Sequence, residues 1–109
     1  MAAGVYVNTT DYKITGTGGI ENEFLQYTQL VNSQNQPPLV HSISYGEYGG
    51  SYDNTTDQQF SYELQKMGIS GISVLLASGD NGVGCNTAGT EQEFDYPSSP
   101  YITMVKVPS

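Results

Sequence analysis

The chain predicts an α/β fold, a parallel sheet with helices on both faces, and three observations carry that expectation. Stretches with the apolar spacing of a helix alternate with short apolar runs. Those runs are rich in Val and Ile. Dense Gly, Pro, Asn and Ser punctuation separates one from the next. Strand, helix, strand, helix, strand is the order that right-handed crossovers turn into a parallel sheet. At 109 residues the chain is long enough for one small domain, or a piece of a larger one, and too short for two.

The elements follow in order. "GVYVN", residues 4–8, reads as a short strand. After the turn-rich "TGTGG", residues 21–32 place Phe24, Tyr27, Leu30 and Val31 on one helical face. Glu21 and Glu23 stand in the first turn of that helix, where carboxylates favour the dipole. "NSQNQPP" stops the helix, and "LVHSIS", residues 39–44, is the second strand. Thr56 precedes Gln59 at capping-box spacing, Phe60, Leu64 and Met67 share a face, and Gly68 offers a C-terminal cap. "ISVLLA", residues 72–77, is wholly apolar, as a strand buried on both faces should be, and "YITMVKV", residues 101–107, is another strand.

Eleven Asp and Glu stand against three Lys, for a formal charge of −8. Phosphate contacts need clustered cations, so nucleic acid and anionic membranes are excluded as partners. No window approaches the ~18 apolar residues of a membrane span, and "MAAGVYVNTTDY" has neither the charged nor the apolar region of a signal peptide. The glycosylation patterns Asn8-Thr9-Thr10 and Asn54-Thr55-Thr56 fit a secretory route, although such three-letter patterns are frequent by chance. Cys85 is the single cysteine, either a free thiol or half of a bridge to another chain segment.

In open parallel sheets function collects in the loops at the carboxyl ends of the strands. Two loops qualify, "SYGEYGG" after the second strand and "SGDNGVGC" after the third. Together with "HSISYG" from His41, "FSYELQKMGISGISVLLASGDNGVGC" from Phe60 and "YPSSPYITMV" from Tyr96, they resemble the sedolisin family of serine-carboxyl peptidases, in its tripeptidyl-peptidase branch. The likeness runs from Phe24 to Val105 and is specific as a combination.

The resemblance implies a subtilisin-like sheet, a Ser, Glu and Asp catalytic set, and a further aspartate in the oxyanion hole, which falls on Asp80. A carboxyl group donates a hydrogen bond to a developing oxyanion only while protonated, so acid pH and a lysosomal or secreted, acidic compartment are expected. The resemblance lays the substrate peptide along the backbone of Ser44, Tyr45 and Gly46 by strand-like pairing. It matches Cys85 to a cysteine bridged far downstream, and with no second cysteine here the thiol is expected to be unpaired.

The departures are equally specific. The family's Glu and Asp lie on a helix upstream of the segment matched here, and its nucleophile lies in a Gly-Thr-Ser motif that occurs nowhere in these residues. Its calcium site lies later still, so no cofactor is expected in this chain. Where the family continues with Val-Gly-Gly-Thr, this chain reads Val105-Lys106-Val107-Pro108-Ser109. The expectation is the middle portion of a sedolisin-like peptidase domain over residues 1–109, without a second domain and inactive alone. The alternative is a non-catalytic module that binds extended peptides through its tyrosine-rich "SYGEYGGSY" loop.

Simpler roles compete for several residues. On its loop alone Asp80 is a turn aspartate beside glycine, and only the flanking match makes it an oxyanion donor. His41, the single histidine, is read as a packed strand residue, since the matched family needs none in catalysis. Glu21 and Glu23 lie on different helix faces and cannot stand for the missing pair. "TGTGG" lacks both the dinucleotide spacing and a P-loop lysine. An excised piece of sheet is also expected to leave open edges and apolar faces.

Overall fold

The structure is a computed structural model that describes residues 7–15, 17–48, 54–79, 84–85, 92–93, 95–97 and 99–105. Helix α1 spans Gly19–Ser33 and helix α2 Asn54–Ile69. Strands β1 (Val40–Ile43), β3 (Ser73–Ala77) and β7 (Thr103–Val105) form a parallel sheet in the order β1-β3-β7. Two short antiparallel pairs lie outside it, β2 (Glu47–Tyr48) with β6 (Asp95–Tyr96) and β4 (Gly84–Cys85) with β5 (Gln92–Glu93). The parallel α/β expectation is met. The expected strand "GVYVN" lies mostly outside the described residues, and its last two residues belong to no element.

Helix α1 starts on glycines for a steric reason. Gly18 and Gly19 have φ of +113° and +84°, a region side chains avoid. A Cβ on Gly18 would sit 2.5 Å from Asn22 Nδ2, which donates to the Gly18 carbonyl at 2.9 Å. This explains Gly18 and Gly19 of "TGTGG" without any ligand. Ile20, Phe24, Tyr27, Thr28 and Val31 form the buried stripe, while Leu30, expected inside, is 40% exposed. It lies one step around the helix from Tyr27, beyond the edge of that stripe.

Helix α2 begins two residues before Thr56, which therefore sits inside the first turn and is not the N-cap. Its end also differs from expectation. Gly68 is helical, and the left-handed residue is Gly71 at φ +80°. The Ile72 amide donates to the Met67 carbonyl and the Gly71 amide to the Gly68 carbonyl, both at 3.0 Å. These are the two bonds of a Schellman motif, and its apolar pair, Met67 and Ile72, is buried in the core. The turn therefore delivers the chain from α2 into β3 with the Lys66, Met67 and Gly68 carbonyls each accepting a bond.

The core is one cluster. Phe24 and Val31 of α1 meet Phe60, Leu64 and Met67 of α2, above Val74 and Leu76 of β3 and Ile102. The Phe24 and Phe60 rings meet edge to face at 5.9 Å. At the other end of the helix pair, Asn32 Nδ2 donates to the Glu63 carbonyl at 2.9 Å and to its carboxylate at 2.7 Å. Strand burial alternates. Register aligns His41 with Val74, and Ile43 with Leu76 and Met104, on the helix-covered face. Val40, Ser73, Ala77 and Val105 are exposed on the other face and Leu75 is half-buried. The expectation that "ISVLLA" is buried on both faces is thus met on one, because both described helices pack on the same side.

Candidate functional site

Strands β1 and β3 run parallel with Ile43 opposite Leu76, so the two candidate loops leave the same end of the sheet from neighbouring strands. Adjacent strands lie about 5 Å apart. Ser44, Tyr45 and Gly46 follow directly on β1, and all three are exposed. On β3, the Ser78 amide still donates to the Val105 carbonyl at 3.1 Å, and Gly79 turns the chain at φ +79°. Asp80, the expected oxyanion donor, lies outside the described residues, as does its contact with anything else.

Among the described residues β1 is paired on one side only, and a groove of about 580 Å³ runs beside it. One wall is the irregular segment 7–14, the second is α1 through Glu23, Phe24 and Tyr27, and the floor is the chain from Pro38 to Tyr45. Tyr45 lies at the exit of β1 with its ring stacked on Phe24 at 6.2 Å, while remaining 58% exposed. An edge strand offers unpaired amides and carbonyls, and an exposed aromatic beside it offers a side-chain contact. Together they suit an extended peptide.

Deeper in the groove stands His41, only 6% exposed. Its Nε2 lies 2.7 Å from the Pro38 carbonyl and its Nδ1 2.5 Å from the Tyr27 hydroxyl. A carbonyl only accepts, so Nε2 carries a proton, and in the neutral ring Nδ1 then accepts from the Tyr27 hydroxyl. Burial, with Tyr12 adding to it, pushes the Tyr27 phenol above the ordinary tyrosine range, which keeps it a donor. Tyr12 stacks on the imidazole at 5.7 Å and donates to Gln34 Oε1 at 2.7 Å. The expected packed histidine is therefore also the centre of a polar network. Sequence reading missed Tyr12 and took Tyr27 as core only. The available signal was that a buried phenol needs a hydrogen-bond partner and the chain offers a single imidazole.

No group of three His, Cys, Asp or Glu side chains able to hold a metal ion occurs among the described residues, so none is assigned to calcium. No described helix is long and apolar enough to cross a membrane.

No family model matches the chain. Individual proteins do. It is 36% identical to tripeptidyl-peptidase 1 of Bos taurus, 35% to that of Homo sapiens and 34% to that of Mus musculus, in each case over 96% of this chain and 19% of the relative. The chain thus spans about a fifth of the length of the curated relatives it matches. Over the region it spans, with the α/β sheet and helix pair described, the chain belongs to the sedolisin family that includes tripeptidyl-peptidase 1.

Proposed function

We propose that this chain is the middle portion of a sedolisin-type peptidase domain and supplies two parts of its chemistry. The backbone at Ser44, Tyr45 and Gly46 pairs with the substrate peptide, and Asp80 donates a proton-bearing hydrogen bond to the oxyanion of the tetrahedral intermediate. The observation that carries this reading is the parallel register of β1 and β3, which sends "SYG" and "SGD" out of the same sheet end, in a chain related throughout to tripeptidyl-peptidase 1. The exposed backbone after β1 and the groove beside it support the substrate role.

The substrate class is a peptide or protein, and the working environment is an acidic compartment, lysosomal or secreted, because a carboxyl donor must keep its proton. No Gly-Thr-Ser nucleophile motif occurs in these residues. The chain alone therefore binds without turning substrate over.

The test is a graft. This segment replaces the matching region of human tripeptidyl-peptidase 1, and peptide release is followed at acid pH. Asp80→Ala in the graft lowers kcat by about 100- to 1000-fold, the effect of losing one oxyanion donor. A folded graft whose rate ignores Asp80→Ala overturns the oxyanion assignment, and turnover by the isolated chain that vanishes with the same substitution overturns its inactivity alone. The second reading is a non-catalytic binder of extended peptides, favoured by the exposed Tyr45 and by the edge of β1 that is unpaired among the described residues. Peptide binding by the isolated chain, combined with a dead graft, selects it.

A further inference from the structure

We propose that the groove beside β1 selects a basic side chain, lysine or arginine, in the extended peptide it holds, through Glu23 on α1 and Asp11 on the opposite wall. That a peptide lies there rests on the function proposed above; the class of residue it must carry is the new element. Strand geometry supplies the position. Side chains of a strand alternate between its two faces. His41 and Ile43 of β1 take the helix-covered face, and Tyr45 continues the series, since its ring stacks on Phe24 of α1. A peptide pairing along Ser44 to Gly46 obeys the same alternation, so every second side chain is delivered to the α1 side. The wall it meets there holds Glu23, Phe24 and the 58% exposed Tyr45.

Charge decides which side chain suits that wall. Among the described residues the groove is lined by two carboxylates, Glu23 and Asp11, and by no lysine or arginine. Neither is in an ion pair there, whereas Lys66 is held by Glu63 at 2.8 Å. Lys13 is exposed and does not line the groove. Glu23 is half-buried, so water and salt screen its charge less than that of a fully exposed carboxylate. A long basic side chain fits this wall in two ways. Its aliphatic stem lies along Phe24 and Tyr45 while its charged head reaches Glu23, and a cation is also attracted to an aromatic ring. An acidic side chain is repelled from the same place. The sign of the charge also disfavours a second copy of the chain as occupant. An unpaired edge strand invites self-pairing, but each copy carries −8. A basic peptide is attracted where a second copy is repelled.

The test is fluorescence anisotropy on the 109-residue chain at neutral pH. The probes are labelled peptides of alternating threonine and valine, alike except for lysine, glutamine or glutamate at one central position. At about 20 mM salt the lysine peptide binds about tenfold tighter than the glutamate peptide, with the glutamine peptide between them, and the gap narrows to about twofold at about 500 mM. Glu23→Gln narrows the low-salt gap by about threefold and Asp11→Asn by about twofold, while affinity for the glutamine peptide stays as it was. Glu21→Gln removes the same charge from the same helix at a residue that does not line the groove, and leaves the gap unchanged. A gap that Glu21→Gln narrows as much as Glu23→Gln assigns the attraction to bulk charge and overturns the selection. Equal binding of all the peptides also overturns it and leaves the peptide role of the groove standing, whereas binding of none removes both. If a variant fails to fold, amide NMR of the unsubstituted chain decides. Shifts on adding the lysine peptide at Asp11, Glu23 and Ser42 to Tyr45 uphold the selection, and shifts confined to other residues overturn it.

Discussion

The helix-covered face of the sheet and the edge of β1, unpaired among the described residues, draw on the same alternating strand, yet they are held by different forces. On the covered face Leu76 and Val74 meet Phe60, Leu64 and Met67, and hardly any of their surface reaches water. Along the edge, Val40 is 65% exposed, and the wall across the groove is held by Ile14 against the core, by the contacts of the Tyr12 ring with His41 and Tyr27, and by the Tyr12 hydrogen bond to Gln34. Dense apolar packing holds the first region, whereas a few aromatic and polar contacts hold the second.

Substitutions break this comparison in descending order. Leu76→Ala empties the centre of the covered face and costs about 2–5 kcal/mol, read as a lowered urea midpoint. An effect below about 1 kcal/mol would mean that the helices do not bear on β3. Gly71→Ala forces a side chain into the left-handed region at the α2–β3 turn and costs about 1–2 kcal/mol by the same measurement. Gly68→Ala, which removes a glycine from a helix interior where a Cβ meets nothing within 4 Å, stabilises instead by up to about 1 kcal/mol. The opposite signs of the two glycines test the Schellman assignment directly.

Asn32→Ala removes both bonds to Glu63 and costs about 1 kcal/mol at neutral pH. Burial pushes the Glu63 carboxyl up, but the hydrogen bonds from Lys66 and Asn32 outweigh it and hold the group below the usual carboxylate range. A group lowered in the folded state contributes its stability above its unfolded value, near pH 4.3, and loses it as pH falls through the folded value. The deficit of Asn32→Ala is therefore full at pH 7 and shrinks in urea titrations carried below about pH 4. The smallest effect belongs to the open face. Val40→Thr changes stability by less than about 0.5 kcal/mol, and a larger loss would show that Val40 is covered by something in solution.

Much of this arrangement was legible in order and spacing. Phe60, Leu64 and Met67 announced α2, Phe24, Tyr27 and Val31 announced α1, and the β-branched run at residues 72–77 announced β3. The errors share a cause. Thr56 and Gly68 satisfy local capping rules, but Asn54 to Ile69 can all be helical once α2 docks on α1, so the helix runs past both. Leu30 belongs to an apolar pattern that the actual packing direction leaves outside. At the site, the backbone course of Ser44, Tyr45 and Gly46 followed from β1. The His41 network did not, because Tyr12, Tyr27 and His41 are brought together from three separate segments.

By itself the sequence determined the class of the fold, the order of its elements, the acidic charge and the family, since these reside in local spacing and in strings of residues read one after another. Only the tertiary structure decided which glycine turns α2 into β3, which face of the sheet is covered, and which groups His41 meets. Each of those depends on partners distant in the chain: the core that Ile72 enters, the side on which both helices pack, and the carbonyl and phenol that meet one imidazole.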